Sequence, residues 1–159
     1  MNKYILYFLF TCTTGLDGRV HHNRKNPQNA LFDAAWRNDV TGVKEAISQG
    51  AKINQCNTFG HTPLMIAAKY NSFEVVELLV NNYKVDINYI NNSGMNALAL
   101  SITNKNPRTL LFLLNKHADP TLITVNGYTL TSLIGQFGQT HIKKAFDEWQ
   151  QKTNLQKNN

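Results

Sequence analysis

The side chains that most often perform catalysis or hold metals are few in this sequence and are not grouped. Of the five histidines, only His21 and His22 are adjacent, and the rest are dispersed without the spacing of metal ligands. The two cysteines, Cys12 and Cys56, provide neither a disulfide framework nor a metal-binding pair. The sequence contains no glycine-rich phosphate loop, no Gly-x-Ser-x-Gly motif and no paired-carboxylate signature. We therefore predict that the protein is not an enzyme and that it uses no cofactor and no metal.

A similar run of residues recurs along the chain after a glycine. Gly60, Gly94 and Gly127 precede these runs at intervals of 34 and 33 residues, and a step of 33 residues back from Thr62 leads to Asn29, which opens a similar run. A fixed period of this length indicates a stack of small units, none of which can bury its apolar face alone. Such a stack favours a binding surface over a catalytic pocket.

The unit that begins at Thr62 shows the elements that each repeat must contain. Thr62 can cap a helix that starts at Pro63, because the first helical turn leaves the N–H that proline lacks without a partner in any case. The small side chains of Ala67 and Ala68 allow a neighbouring helix to approach closely. A second helix begins at Phe73 and is apolar around much of its circumference, so it must lie between neighbours.

Polar segments rich in asparagine separate these helix pairs. Segment 81–94 predicts a turn followed by an extended finger. We interpret the abundance of asparagine as partly a compositional bias with little chemical meaning. In the third unit Pro107 lies where the second helix should begin. The fourth unit is degenerate, and no finger follows its second helix.

The repeated pattern resembles the ankyrin repeat, whose signature is a Gly, then Thr-Pro-Leu-His-x-Ala-Ala, an apolar second helix and Gly-Ala-Asp-x-Asn. The resemblance covers four units over about residues 27–151. The unit from Gly60 to Asn88 carries it best, although Met65 replaces the family's histidine and one residue is inserted near Lys84. The resemblance implies an all-α solenoid of four helix-turn-helix repeats with extended finger loops.

In ankyrin-type stacks, partners meet the fingers and the inner helices, which together form a concave face. Carried over position by position, this resemblance implies that a set of finger and inner-helix residues contacts a partner. They are Trp36, Arg37, Phe59, His61, Lys69, Tyr70, Ile90, Asn92, Met95, Asn104, Val125, Tyr128 and Phe137. Aromatic and arginine side chains most often carry interface energy, so the aromatic content favours protein binding. The alternative for Trp36 and Phe137 is that they pack against adjacent units.

The charge distribution bears on the kind of partner. The net charge is +6, with Lys3, Arg19, Arg24 and Lys25 before the repeats and Lys143, Lys144, Lys152 and Lys157 at the end, and the sequence contains no dense basic block. A nucleic-acid reader needs a concentrated basic stripe, so we interpret the charge as a solvated surface that aids solubility. We expect a protein partner, no nucleic acid, and a monomer.

The N-terminal residues have the composition of a secretory signal. Lys3 precedes an unbroken apolar run from Tyr4 to Phe10, and small or polar residues follow up to Gly15. The run is too short to span a bilayer. Cleavage after Gly15 would release a chain that starts at Leu16, and lipid modification of Cys12 is a weaker alternative. We assign 1–15 to a signal peptide, 16–27 to a flexible leader, 28–151 to the repeats and 152–159 to a flexible tail.

The sequence thus predicts an exported, non-catalytic protein that binds a protein partner through its concave face. The resemblance suggests either a bacterial factor aimed at another cell or a periplasmic or immunity-type partner. A structural or assembly role is one alternative, and a cytosolic regulator of another protein is a second.

Overall fold

The computed structural model describes residues 26–103, 107–121, 127–136 and 140–157, with side chains up to residue 154. The predicted signal peptide, most of the leader, and the candidate residues Asn104, Val125 and Phe137 lie outside the described residues. The described ranges contain eight helices. They are α1 (Pro27–Trp36), α2 (Val40–Ser48), α3 (Pro63–Lys69), α4 (Phe73–Asn82), α5 (Ala97–Thr103), α6 (Pro107–Asn115), α7 (Leu130–Gln136) and α8 (Thr140–Lys157).

The eight helices form two rows. In the inner row α1 contacts α3, α3 contacts α5 and α5 contacts α7, and in the outer row α2, α4, α6 and α8 are joined in the same way. Each inner helix also contacts the outer helix that follows it. This arrangement of four stacked helix pairs confirms the all-α repeat solenoid that the sequence predicted.

The inner helices begin where their caps lie in the sequence. Thr62 Oγ1 accepts a hydrogen bond from the Met65 N–H at 3.3 Å, which confirms its predicted role as N-cap. Asn96 occupies the equivalent place before α5, where its Oδ1 accepts from the Ala99 N–H at 2.9 Å. Threonine and asparagine are both effective caps because their side-chain oxygens satisfy N–H groups that the first turn leaves unpaired.

Small residues are buried between the inner helices. Ala35, Ala67, Ala68, Ala97 and Ala99 are all buried in one apolar core that runs from α1 to α8. Alanine side chains allow the inner helices to pack closely. The larger apolar side chains of the outer helices fill the rest of the core. Alanine is thus the small buried residue of α1, α3 and α5, although α5 lacks the adjacent pair found at Ala34-Ala35 and Ala67-Ala68.

Asparagines hold the turns between inner and outer helices. Asn38 and Asn71 have φ values of 60° and 63°, a left-handed conformation that asparagine tolerates better than most residues. Asn38 Oδ1 also accepts from the Val75 N–H at 3.1 Å, and its amide group donates to Glu74 in the next repeat. The interpretation of asparagine as compositional bias was therefore wrong, since these residues have defined structural positions.

A ladder of side-chain amides connects the bases of successive fingers. The amide oxygens of Gln28, Asn54 and Asn88 accept from the N–H groups of Lys52, Asp86 and Asp119, at 2.9, 3.0 and 2.8 Å. Asn54 Nδ2 also donates to the Lys84 carbonyl at 3.0 Å. In the part of the chain that the structure describes, no finger precedes that of Lys52, and Gln28 of α1 supplies the amide group that Asn54 and Asn88 supply to the later fingers. The hydrogen bonds of Asn54 and Asn88 link side chains of one repeat to the backbone of the next, in addition to the contacts of the apolar core.

This ladder leads to a prediction for Asn54. The Asn54→Ala substitution should lower the free energy of unfolding by about 1–2 kcal/mol, because two hydrogen bonds to the next repeat are lost. The control is Asn81→Ala, at an exposed position of α4, which should change stability by less than about 0.5 kcal/mol. Urea unfolding followed by circular dichroism measures both, and equal values for the two variants would contradict a role for the ladder.

The outer helices end in two different ways. At Gly50 and His117 the chain turns with φ values of 97° and 65°, and the residue that follows each donates back into the last turn of the helix. This is the usual left-handed helix termination. In the second repeat α4 instead runs to Asn82, and Tyr83 is extended with φ of −130°. The inserted residue that the sequence placed near Lys84 is thus absorbed at the end of this helix.

The last helix is much longer than its counterparts. Helix α8 spans 18 residues, whereas α2, α4 and α6 span 9, 10 and 9. Ile142 and Phe146 are buried, and Phe146 stacks on Trp149 with ring centroids 5.9 Å apart. The helix continues to Lys157, which differs from the flexible tail assigned to residues 152–159. No proline or glycine interrupts this segment, so the hydrogen-bonded backbone continues beyond the buried turns.

Candidate functional site: the concave face

Each described finger tip is a tight turn organised by one asparagine. Asn57 Oδ1 accepts from the N–H groups of Phe59 and His61, each at 3.0 Å. Asn91 Oδ1 does the same one repeat later, for Ser93 and Met95, each at 2.9 Å. The turn leaves Phe59 at the tip with 56% of its surface exposed. The finger thus presents a phenyl ring to solvent on a backbone that is held in place.

Two aromatic rings meet where the first two inner helices end. Trp36 is the last residue of α1, and Tyr70 follows the last residue of α3. Their ring centroids are 6.2 Å apart at an angle of 87°, an edge-to-face arrangement. Trp36 nevertheless remains 46% exposed and Tyr70 47% exposed. Packing between adjacent repeats, the alternative considered for Trp36, therefore covers only part of its indole.

Each of these rings has a cation beside it. The Arg37 guanidinium lies 5.6 Å from the centre of the Trp36 ring, and Lys69 Nζ lies 5.5 Å from the centre of the Tyr70 ring. Arg37 Nε is also 3.0 Å from Asp33 Oδ1, one helical turn back in α1. Sequence reasoning did not single out Asp33, although its i,i+4 spacing from Arg37 on one helix was a usable signal. The cations are thus oriented along the aromatic surface.

His61 lies between the finger tip and the start of α3. Its ring lies 6.3 Å from that of Phe59, centroid to centroid. Burial, and next the positive charge of Lys69, lower the pKa of His61 from 6.5 to about 4. His61 is therefore neutral at pH 7. We call these six residues the aromatic strip; they comprise the Trp36–Tyr70 pair with Arg37 and Lys69, and the Phe59–His61 pair, which the charge of Lys69 reaches.

The lowered pKa of His61 predicts a pH dependence of stability. The unfolded chain binds a proton at this histidine below about pH 6.5, whereas the folded chain binds it only below about 4, so stability should fall as pH falls between these values. Because His61 is only half-buried, solvent screening limits the expected loss to about 1 kcal/mol between pH 7 and pH 5. Urea unfolding of the wild type and of His61→Gln at both pH values measures it. If both proteins lose the same stability, another group is responsible.

The remaining predicted contact residues differ in how far they are exposed to solvent. Ile90 and Tyr128 are exposed, as a contact role requires, and Met95 is half-buried against the core. Asn92 is exposed, but its Nδ2 donates to the Thr58 carbonyl at 3.3 Å, so its amide group joins two fingers. Within the described ranges, the exposed large apolar side chains are Trp36, Phe59, Tyr70, Ile90 and Tyr128. All five belong to the predicted contact set, and their binding role stays a prediction.

The described residues do not meet the requirements of a three-ligand metal site or of a membrane-spanning helix. Among them, no group of three or more His, Cys, Asp or Glu side chains is placed to hold a metal ion. In the same part of the chain, no helix has the length and apolar character that crossing a membrane requires.

The fold and the concave surface define a helical-repeat binding module, and comparison with known proteins identifies its family. The family model described as ankyrin repeats (3 copies) matches residues 31–124, so the chain belongs to the ankyrin repeat family. The match ends before α7 and α8, which form the fourth helix pair of the stack. Ankyrin repeats are in general protein–protein interaction modules, and they are typically not enzymatic.

Several relatives share part of their length with this chain. An ankyrin repeat protein of Fowlpox virus is 33% identical over 118 residues, which cover 73% of this chain and 35% of that protein. The human transient receptor potential cation channel subfamily A member 1 is 32% identical over 90 residues, covering 57% of this chain and 8% of the channel. The ankyrin repeat and SAM domain-containing protein 6 of Rattus norvegicus is 34% identical over 106 residues, covering 65% and 12%.

The chain thus spans about a third or less of the length of these relatives. They come from a virus and from animals, so they lend no support to the bacterial setting that the sequence suggested.

Proposed function

We propose that this chain binds another protein through its concave face, with the aromatic strip as the central contact. The observation that carries the proposal is the exposure of Trp36, Tyr70 and Phe59 on adjacent elements. Large apolar side chains in water are costly when they are grouped, and such groups mark interaction sites. Membership of a family of protein–protein interaction modules supports a protein as the partner.

Site-directed photo-crosslinking tests which face is used. A benzoylphenylalanine residue placed at position 59 or 70 should crosslink to a discrete partner in a native extract. The control is the same residue at position 44, since Lys44 is exposed on the outer helix α2. Crosslinks that form at position 44 and not at 59 or 70 would place the interface on the outer helices instead.

The partner recovered in this way permits a quantitative prediction. Trp36→Ala should weaken binding by about tenfold to a hundredfold, because a half-exposed tryptophan at the centre of a contact contributes about 1.5–3 kcal/mol. Calorimetry measures the affinity, and a thermal melt of the variant shows whether the fold survives. Unchanged affinity in a folded variant would exclude Trp36 from the interface. Self-association, the assembly alternative, would appear in light scattering as a mass well above that of one chain.

We also propose that the chain is exported. What supports this is the lysine at position 3, the apolar run that follows it, and the small or polar residues up to Gly15. The intact mass of the protein from a native source tests the proposal, since cleavage should yield a chain that starts at Leu16. A native chain that still contains residues 1–15 would contradict export and would favour a cytosolic regulator.

A further inference from the structure

Among the described residues, the inner helices and finger tips carry few charged side chains. Helices α5 and α7 contain no charged residue, and neither do the finger segments 55–62 and 89–96. The inner row contributes Asp33 from α1, Arg37 just after α1, and Lys69 at the end of α3. The other carboxylates of the described residues lie in the outer helices, at their starts, or in the finger bases that follow them.

The charges of the inner row give the aromatic strip a positive sign. Asp33 has a side chain that is only 24% exposed and is bound to Arg37 Nε, so it neutralises one cation at most. Lys69 has no carboxylate in the strip, and His61 beside it is neutral at pH 7 because its pKa is about 4. A binding surface that pairs aromatic rings with an excess of cations is complementary to an apolar group flanked by carboxylates.

The positions of Arg37 and Lys69 indicate how the carboxylates of such a ligand would be spaced. Arg37 and Lys69 belong to adjacent inner helices, whose axes are about 8–10 Å apart in packed helix pairs. In an extended peptide, alternate side chains point to the same side, so residues four positions apart share a face at about 13 Å, a span that the long side chains of Arg37 and Lys69 can cover. Two acidic residues at that spacing could therefore reach both cations while a side chain between them contacts Trp36 and Tyr70.

We propose that the partner presents an acidic segment in which two carboxylates flank an aromatic or aliphatic side chain, and that this segment lies across the aromatic strip. The inference rests on the proposed function, since it assumes that the concave face is the interface. A nucleic acid is the less favoured polyanion, because two cations without a continuous basic stripe do not follow a phosphate backbone.

The first experiment selects ligands without a known partner. A display library of random twelve-residue peptides is screened against the full chain, and the recovered sequences are compared with those bound by the double variant Arg37→Glu/Lys69→Glu. The wild type should enrich Asp or Glu on both sides of an apolar residue, and the double variant should lose these peptides. Recovery of no peptide, or of neutral or basic peptides, would overturn the inference.

The second experiment measures one selected peptide as a synthetic probe. Lys69→Glu should weaken its binding by about tenfold or more, and exchange of one peptide carboxylate for lysine should restore part of that loss. The matched control is Lys116→Glu, which removes a lysine that lies 5.6 Å from the centre of the Phe112 ring beside the outer helix α6. An equal loss in Lys116→Glu would show a general charge effect and would contradict the inference.

Two further measurements separate this inference from the proposed function. If Trp36→Ala and Tyr70→Ala weaken a selected peptide while Lys69→Glu does not, the concave face binds protein but without the acidic preference. If the acidic peptide binds equally well to both aromatic variants, the interface lies elsewhere and both proposals fail. Tighter binding of a single-stranded oligonucleotide than of the peptide, lost in Lys69→Glu, would assign the strip to nucleic acid and overturn the inference.

Discussion

Replacement of Leu98 by alanine should lower the free energy of unfolding by about 3–5 kcal/mol. Leu98 is 0% exposed in α5, which contacts α3 on one side and α7 on the other. Removal of its branched end leaves a cavity at the junction of three inner helices, and the close-packed alanines nearby offer little freedom to collapse into it. Urea unfolding monitored by circular dichroism measures the loss.

The control for Leu98 is a leucine of the outer row. Leu78 in α4 is only half-buried, so Leu78→Ala should cost about 1–2 kcal/mol. Because a repeat stack is stabilised by contacts between neighbours, Leu98→Ala should also increase hydrogen exchange in α7 and α8 more than in α1 and α2. Equal losses for the two variants would contradict the argument that complete burial makes Leu98 the larger contributor to stability.

Gly60→Ala should be the second strongly destabilising change, at about 2–4 kcal/mol. Gly60 has a φ of 77°, a conformation that disfavours any residue with a Cβ atom. A Cβ added there would lie 2.6 Å from Asn92 Oδ1 and 2.8 Å from the Asn92 backbone nitrogen in the next finger. Since the backbone of the neighbouring finger cannot rotate away as a side chain can, the two fingers must separate.

Gly127 supplies a matched control, because it has the same φ of 77° but, among the described residues, no atom within 4 Å of an added Cβ. Gly127→Ala should therefore incur only the conformational cost, about 1 kcal/mol. Thermal and urea unfolding of the two variants gives the difference, and similar losses would show that contact between the fingers is unimportant. Gly60→Ala should also weaken partner binding through displacement of Phe59 and His61, an effect that Gly127→Ala should not share.

The recurrence of motifs predicted the architecture because each motif acts locally. The cap at Thr62, the proline at position 63 and the left-handed glycines act within a few residues, so their meaning can be read from the chain without knowledge of its neighbours. Features that are not set by a local motif were harder to predict. The end of α8 depends on how far a helix continues beyond its last buried turn, and no residue type marks that point.

The asparagines show what a linear pattern conceals. Asn54 and Asn88 bind the backbone of the next repeat, and Asn38 reaches Val75 across the same boundary. These partners are more than thirty residues away in the sequence, at or near the repeat period. The period contains the information in principle, but nothing in one repeat distinguishes such an asparagine from a solvent-exposed turn residue.

The sequence by itself determined the number and type of the repeats and the starts of several helices, because capping residues and prolines act within a few residues and the repeat period can be read along the chain; the set of contact residues stays a prediction. Tertiary structure alone decided which of the predicted contact residues lie next to one another. The edge-to-face contact of Trp36 with Tyr70 arises between two helix ends whose distance is set by the packing of α1 against α3, and the effect of Lys69 on His61 depends on how the finger folds back on α3. Contact and charge act through space, and only the stacked helices bring these side chains within reach of one another.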